Sequence, residues 1–492
     1  MTSIAIAGAG HVGVVYAAGL AELGHTVRVI DTDPERIAKL RRGEIWFYEP
    51  GLPELLDRGL SRGRIAFTTS YAVGLGGAKF VFVCVPTPSG ADGSLDDSYI
   101  RAAFSAIREH SGHPRPIVVN KSTVPVGTGD LAKQVFEDPK FRIISNPEFL
   151  SEGRAIEDFF HPTRVVIGAH DREAAESAAA LYAPLRAPVV YTDPVTAEFS
   201  KLAANAFLAT KVSFANALSQ ISEAIGANGD ALAQALSLDP RIGAGHLRPG
   251  LGFGGSCLPK DLAAMESLAR RFSVSAELFR AVDAVNRAQR VRVVDFLLER
   301  FGALDTRRLA VLGITFKANT DDMRDSPALA LAQQLAALSA DVRVYDPVAG
   351  WRPTPNVAGS NLRVVANAYA AARGADALIV GTEWPEFAAL DLQVLKRAMR
   401  GSLVVDCRGI LDARQVMAEH FEFFSFSTRR RDDQPRLPTD RGLRGRPPAR
   451  GRTGGPSPVT LPARGQAATT AFSTDGPESL DAGMRQRLPV AP

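Results

Sequence analysis

The strongest constraint on the fold lies at the N-terminus, where Gly8-Ala9-Gly10-His11-Val12-Gly13 ends a short apolar run and opens a helical pattern. Glycines at this spacing allow a tight strand-to-helix turn, a close approach of backbone to a pyrophosphate, and close packing of helix on strand. The helix N-terminus then favours phosphate charge. Asp31 closes the next apolar run, about 20 residues on, where a carboxylate can bind both ribose hydroxyls. The same carboxylate repels a 2′-phosphate, which favours NAD over NADP. Arg36, close by, tempers that preference.

The alternation continues along the chain. Apolar runs at residues 4–7, 26–30, 79–85, 116–119 and 142–144 read as strands with helical stretches between most of them, the rhythm of a largely parallel sheet. The pattern then changes to a long uninterrupted helix over 196–225 and a second helical region over 259–301. A second α/β unit begins near residue 307, with strands at 309–312, 342–345, 377–380 and 403–405, and with Ser326-Pro327 as a helix start. The expectation is an α/β chain of two Rossmann-like parallel-sheet domains, 1–192 and 304–426, joined by a long-helix α domain, 193–303, followed by a disordered basic tail, 427–492. The long helix is a candidate dimer interface.

Charge and cysteine content exclude several function classes. The net charge is +4, but residues 427–492 carry 12 Arg, no Lys and only six acidic residues, which leaves −2 for residues 1–426. The basicity belongs to the tail, so a nucleic-acid-binding body is not expected, and the tail's own partner is left open. No apolar run approaches the ~20 residues of a membrane helix. The three cysteines, at 84, 257 and 407, form no disulfide framework and no metal-ligand spacing. They fit a reducing, cytoplasmic setting without a metal.

Gly252-Phe253-Gly254-Gly255-Ser256-Cys257-Leu258-Pro259-Lys260-Asp261 is the most informative stretch. Small residues expose backbone before the thiol, and Pro259 suits the first turn of a following helix. Cys257 therefore stands at a helix start, where the dipole is expected to stabilise thiolate. Asp261 falls one turn later. A thiolate there can add to an aldehyde, and the adduct can be oxidised to a thioester. Cys84 and Cys407 read as buried small hydrophobes. Lys201 and Asn205 share one face of the long helix among apolar neighbours, where they can hold an oxyanion; alone, they would read as surface residues. Asn146-Pro147-Glu148-Phe149-Leu150-Ser151-Glu152-Gly153 follows a strand and places two carboxylates four residues apart. By itself it would read as a surface loop. Ser122-Thr123-Val124-Pro125 ends another strand at the same sheet edge, where open α/β sheets bind ligands.

Taken together, these motifs resemble the UDP-glucose/GDP-mannose dehydrogenase family over roughly residues 1–426. Tyr48-Glu49-Pro50-Gly51, Val85-Pro86-Thr87-Pro88, Phe316-Lys317 and Thr320-Asp321-Asp322-Met323-Arg324 add to the match. The resemblance implies a four-electron oxidation of a nucleotide sugar by two NAD, with UDP-glucose going to UDP-glucuronate. It implies Cys257 as nucleophile, Lys201 and Asn205 holding the intermediates, Asp261 and Thr123 ordering water, and Glu148 as base in thioester hydrolysis. Phe149, Leu150, Glu152, Gly254, Lys317 and Arg408 would meet the substrate, as would Arg241, reaching across a homodimer. Gly8, Gly10, Val12, Gly13, Asp31, Arg36, Pro86, Thr87, Thr123, Glu152, Lys260 and Arg324 would surround the cofactor. His246-Leu247-Arg248-Pro249-Gly250 resembles the GDP-mannose branch instead, so GDP-mannose or another nucleotide sugar is the alternative substrate.

Overall fold

The computed structural model describes residues 1–338, 340–349 and 361–427, all within one compact unit, Met1–Leu437. The first sheet has eight strands: β1 (Ser3–Ala7), β2 (Thr26–Ile30), β3 (Ile65–Thr68), β4 (Phe80–Val83), β5 (Ile117–Asn120), β6 (Arg142–Ser145), β7 (Val165–Ala169) and β8 (Val189–Thr192). Their spatial order is β3-β2-β1-β4-β5-β6-β7-β8, and every pair is parallel except β6–β7. The order reverses between β1 and β4, the switch point where such sheets open a crevice for ligand. The second sheet is parallel throughout, in the order β11-β10-β9-β12-β13-β14. Its strands are β9 (Arg308–Leu312), β10 (Asp341–Tyr345), β11 (Leu362–Val364), β12 (Ala377–Val380), β13 (Leu403–Asp406) and β14 (Glu422–Ser425).

Strand side chains alternate between two buried faces. Ile4, Ile6, Phe80 and Phe82 pack on one side of the first sheet, while Ala5, Val81 and Val83 pack on the other. The second sheet repeats this, with Leu309, Val311 and Val405 opposite Ala310, Leu312 and Val404. That is why the central strands read as unbroken apolar runs. β3, β7, β8, β11 and β14 go beyond the expected set. β3, β8 and β11 are short, half-exposed strands with little apolar signal.

The long helix runs Pro194–Ile225. Asp193 caps it by accepting from the Thr196 amide, Pro194 occupies its first turn, and Gly226 ends it in the left-handed region. At 1.5 Å per residue it is about 48 Å long. One end meets the first sheet, where Glu198 accepts from the Gly127 and Gly129 amides and from Ser145. The other reaches the second sheet, where Ser219 donates to the Phe426 carbonyl. The helical region expected over 259–301 is two helices, Leu258–Arg271 and Glu277–Phe301, because the chain turns at Ser273 with φ of 56°. The expected tail, 427–492, lies outside the described residues except for Ser427. That residue belongs to the fold: it is buried, and its carbonyl accepts from the Gly229 amide.

Phe424 in β14 stacks on Phe296 with ring centroids 4.2 Å apart and meets Phe426 edge-on. Phe424→Ala should therefore lower unfolding stability by about 3–5 kcal/mol, read from denaturant unfolding. A loss below about 1 kcal/mol would show that β14 is not part of the cooperative core.

Candidate active site

The Cys257 loop is wedged between two elements. A side chain at Gly254 would meet the Asp325 carbonyl at 2.2 Å, so only glycine lets this loop approach the second α/β unit so closely. The Gly255 amide donates to the Arg324 carbonyl, and Asn286 clasps both backbone groups of Phe253. Cys257 caps the helix Leu258–Arg271 and is solvent-accessible, whereas Cys84 and Cys407 are buried. Protein nevertheless crowds the sulfur. Burial pushes its pKa above the ordinary thiol value and outweighs the opposing pull of Lys201, with Glu148 and Asp261 adding to the rise. The sequence leads to the expectation of a thiolate stabilised by the helix start; in the structure, burial instead raises the thiol's pKa.

Beneath the thiol lie two linked polar groups. Lys201 Nζ is 2.9 Å from Glu148 Oε1, both side chains almost fully buried. Burial alone would raise the Glu148 pKa, but Lys201, the Leu150 amide and Lys121 together hold it below the usual carboxylate range. The same pairing raises the pKa of Lys201 against its own burial. Asp261 is wholly buried and accepts from Asn205 Nδ2 and from Lys260 Nζ, each at 2.5 Å. Fold topology has thus gathered Glu148 from the end of β6, Lys201 and Asn205 from the long helix, and Asp261 from the Cys257 helix. Neither Glu148 nor Lys201 has the surface setting that its segment alone suggested. Glu152 joins from the other side, accepting from Ser256 at 3.2 Å. Burial and Asp322 raise its pKa.

The glycine loop is shaped for close approach. Gly8 has φ of 101°, and a Cβ on it would strike the Cys84 carbonyl at 2.3 Å, whereas nothing lies within 4 Å of a Cβ on Gly10. That free space sits at the N-terminus of the helix His11–Glu22, where a pyrophosphate fits. Val12 is half-buried and Gly13 buried on that helix. Asp31 accepts from the Ala9 amide at 2.7 Å and from Arg36 at 3.0 Å, so the carboxylate also braces the loop. Arg36 lies over the Trp46 ring at 4.9 Å. Thr87 donates to the Thr123 carbonyl, joining the ends of β4 and β5, and Pro86 stands exposed beside it.

The remaining expected residues separate. Lys317 donates to Ser151 at 2.7 Å, which brings the second α/β unit onto the Glu148–Glu152 loop. Arg324 pairs with Asp322 and lies 3.7 Å from Glu152. Lys260 pairs with Asp261. Arg408 is held by the Gly381 and Phe316 carbonyls and by Glu383. Arg241 is 87% exposed, pairs only with Asp239 among the described residues, and does not join the site within one chain. Phe149 packs between Arg164, at 3.8 Å, and Lys201.

Three consecutive family matches cover this architecture: the NAD binding domain over residues 2–186, the central domain over 195–288 and the UDP binding domain over 310–413. The chain belongs to the UDP-glucose/GDP-mannose dehydrogenase family. It is 41% identical to a UDP-glucose 6-dehydrogenase of Pseudomonas aeruginosa over 423 residues, 83% of this chain and 93% of that one. It is 39% identical to the UDP-glucose 6-dehydrogenase YwqF of Bacillus subtilis over 428 residues, 86% of this chain and 97% of that one. Among solved structures, a UDP-glucose dehydrogenase from Pyrobaculum islandicum aligns with a TM-score of 0.78 at 39% identity, covering 84% of this chain and 96% of that one.

Two of the buried charges that sequence reasoning passed over stand next to the site. Glu49 accepts from the Gly153 and Ala155 amides and contacts His11 at 2.7 Å, so it ties the glycine-loop helix to the Glu152 turn. Lys121 is 1% exposed at the end of β5, and burial pushes its ammonium down to about 7. Glu49 lies within Tyr48-Glu49-Pro50-Gly51 and Lys121 directly before Ser122-Thr123-Val124-Pro125, but only tertiary contacts reveal what they hold.

Because Cys257 is the accessible thiol of the three and its pKa is raised, alkylation by iodoacetamide should be selective for it. Its rate should still be climbing at a pH where an ordinary thiol is fully ionised. Lys201→Met removes the charge that favours the thiolate, so alkylation at pH 8 should slow about tenfold, followed by mass spectrometry. An unchanged rate would separate Lys201 from the thiol.

Proposed function

We propose that this chain is an NAD-dependent UDP-glucose 6-dehydrogenase that carries the sugar's primary alcohol through the aldehyde to the carboxylate. The observation that carries the reading is the one accessible cysteine set over the buried Lys201–Glu148 pair and the Asn205–Asp261–Lys260 cluster. We assign residues 1–192 to NAD, 193–303 to dimer assembly and 304–426 to the nucleotide of the substrate. The named activity of the two bacterial relatives at 39% and 41% identity supports UDP-glucose.

The residue types match the chemistry. When bound, NAD would supply the hydride acceptor for each of two oxidations. The first, with the hydroxyl proton lost to water, leaves an aldehyde; the Cys257 thiol gives up its proton to water and its sulfur attacks to give a thiohemiacetal whose oxyanion Lys201 and Asn205 stabilise. The adduct's hydrogen on carbon leaves as the second hydride, and a thioester remains. Water then adds, the carbon–sulfur bond breaks, and carboxylate and thiol are released. Glu148, kept ionised by Lys201, takes the proton from that water, and Asp261 with Thr123 orients it. The raised pKa of Cys257 fits a nucleophile that ionises when substrate is in place and leaves again as a thiol. The three unpaired cysteines suit the reducing cytoplasm, where this thiol stays available.

The expected stoichiometry is two NADH per UDP-glucose. A ratio near one, with free aldehyde in solution, would overturn the covalent route. Cys257→Ser should lower turnover by on the order of a thousandfold or more while leaving NAD binding intact. The second reading, GDP-mannose or another nucleotide sugar, comes from the likeness of residues 246–250 to the GDP-mannose branch; Arg248 bonds the Gly409 carbonyl beside Arg408, in the unit assigned to the nucleotide. A panel with GDP-mannose and N-acetylated UDP-sugars decides between them by kcat/KM.

The reading includes a homodimer. Phe207, Phe214, Ile221 and Ile225 are 51–64% exposed and spaced seven, seven and four residues apart, so they form one apolar stripe on the long helix. A second copy packed there would cover the stripe, and the family resemblance implies that its Arg241 reaches the first copy's site. Phe214→Asp should convert the dimer to monomer in analytical ultracentrifugation; an unchanged mass would locate the interface elsewhere.

A further inference from the structure

Lys121 lies directly behind the loop that carries Glu148. It follows the last residue of β5 and is buried at 1% exposure. Groups from several elements face it. Tyr16 comes from the first helix, its ring 4.2 Å from Nζ, and Tyr182 from the helix Arg172–Tyr182, at 5.9 Å. Cys84, Glu148 and Lys201 are within electrostatic range, but among the described residues no carboxylate forms an ion pair with it. Its hydrogen bonds run to Asn146 Oδ1 at 3.3 Å and to the Pro147 carbonyl at 3.4 Å, the two residues immediately before Glu148.

Burying an unpaired ammonium is costly, and a methionine would fill this volume without that cost. A cavity of about 130 Å³ borders Tyr16, Lys121, Asn146, Pro147, Phe149 and Leu150, so the loop that delivers Glu148 has open space on that side. Polar ties help to hold it: the Asn146 amide donates to the Asn120 carbonyl, Tyr182 Oη donates to Asn146 Oδ1 at 2.7 Å, Asn146 Nδ2 donates to the Val166 carbonyl, the Leu150 amide donates to Glu148, and Lys121 reaches the Pro147 carbonyl.

We propose that Lys121 is a positioning residue that holds Asn146 and Pro147 from behind and so keeps the Glu148 carboxylate seated against Lys201. The proposal rests on the reading that Glu148 serves thioester hydrolysis. Without the tie, the loop relaxes into the neighbouring cavity, Glu148 draws away from Lys201 and the thiol, and the acyl-enzyme outlives its formation.

The test uses the full chain with Lys121→Met. Expected are KM values for UDP-glucose and NAD within about twofold of the parent, kcat lower by about tenfold, and a Cys257 acyl adduct accumulating in the intact mass spectrum. The alkylation–pH profile of Cys257 should also move to lower pH, since a displaced Glu148 no longer opposes the thiolate. A parent-like kcat, a kcat loss with no acyl adduct, or a parent-like alkylation profile each overturns the proposal. If Lys121→Met does not fold, Lys121→Gln is read by the same criteria. If the parent makes no NADH from UDP-glucose, the functional reading fails, and the alkylation profile still decides the role of Lys121.

Discussion

The ion pair between Lys201 and Glu148 joins the two halves of the candidate site. One partner stands on the long helix and the other follows β6, so the pair exists only when the helix is docked on the first sheet. Both groups are removed from water, and each keeps its charge because the other is 2.9 Å away. Losing either partner would strand a buried charge, at a cost of about 3–5 kcal/mol. The Cys257 sulfur senses both members, one favouring and one opposing its thiolate.

The rest of the architecture holds that pair in place. Glu198, one turn before Lys201, bonds the Gly127 and Gly129 amides and Ser145, locking the long helix to the start of the helix Thr128–Phe136 and to the end of β6. Asp261 receives Asn205 from the long helix and Lys260 from its own, so the thiol's helix cannot shift without breaking a buried carboxylate's bonds. Glu49 does the same between the glycine-loop helix and the Glu152 turn. Lys317 and Arg324 bring the second α/β unit over the loop from above. Buried carboxylates and lysines serve here as joints between elements, a use that demands complete satisfaction of each group.

Much of this was legible along the chain. The unbroken apolar strands, the glycine loop with Asp31 and the long helix all follow from local periodicity, and the structure contains each. Lys201 and Asn205 were legible as a pair because helical spacing puts i and i+4 on one face. Short strands such as β3 and β11 were not, because three or four half-exposed residues carry too little pattern. Lys121 and Glu49 were missed for another reason: a charged residue beside a strand end or in a loop normally faces water, and nothing local says that this one does not.

The sequence by itself determined the α/β class, the glycine loop for a dinucleotide and which of the three thiols is accessible, since these depend on residue types at short spacings. Only the tertiary structure decided the state of the groups. It set Cys257 above the ordinary thiol pKa, kept Glu148 ionised in a buried place, and turned Lys260 and Arg408 towards protein partners. It also brought residues 49 and 153, and 151 and 317, into contact. Short-range pattern fixes conformation through local sterics and periodicity, whereas charge state and contact depend on desolvation and on neighbours distant in sequence, which exist only once the chain has folded.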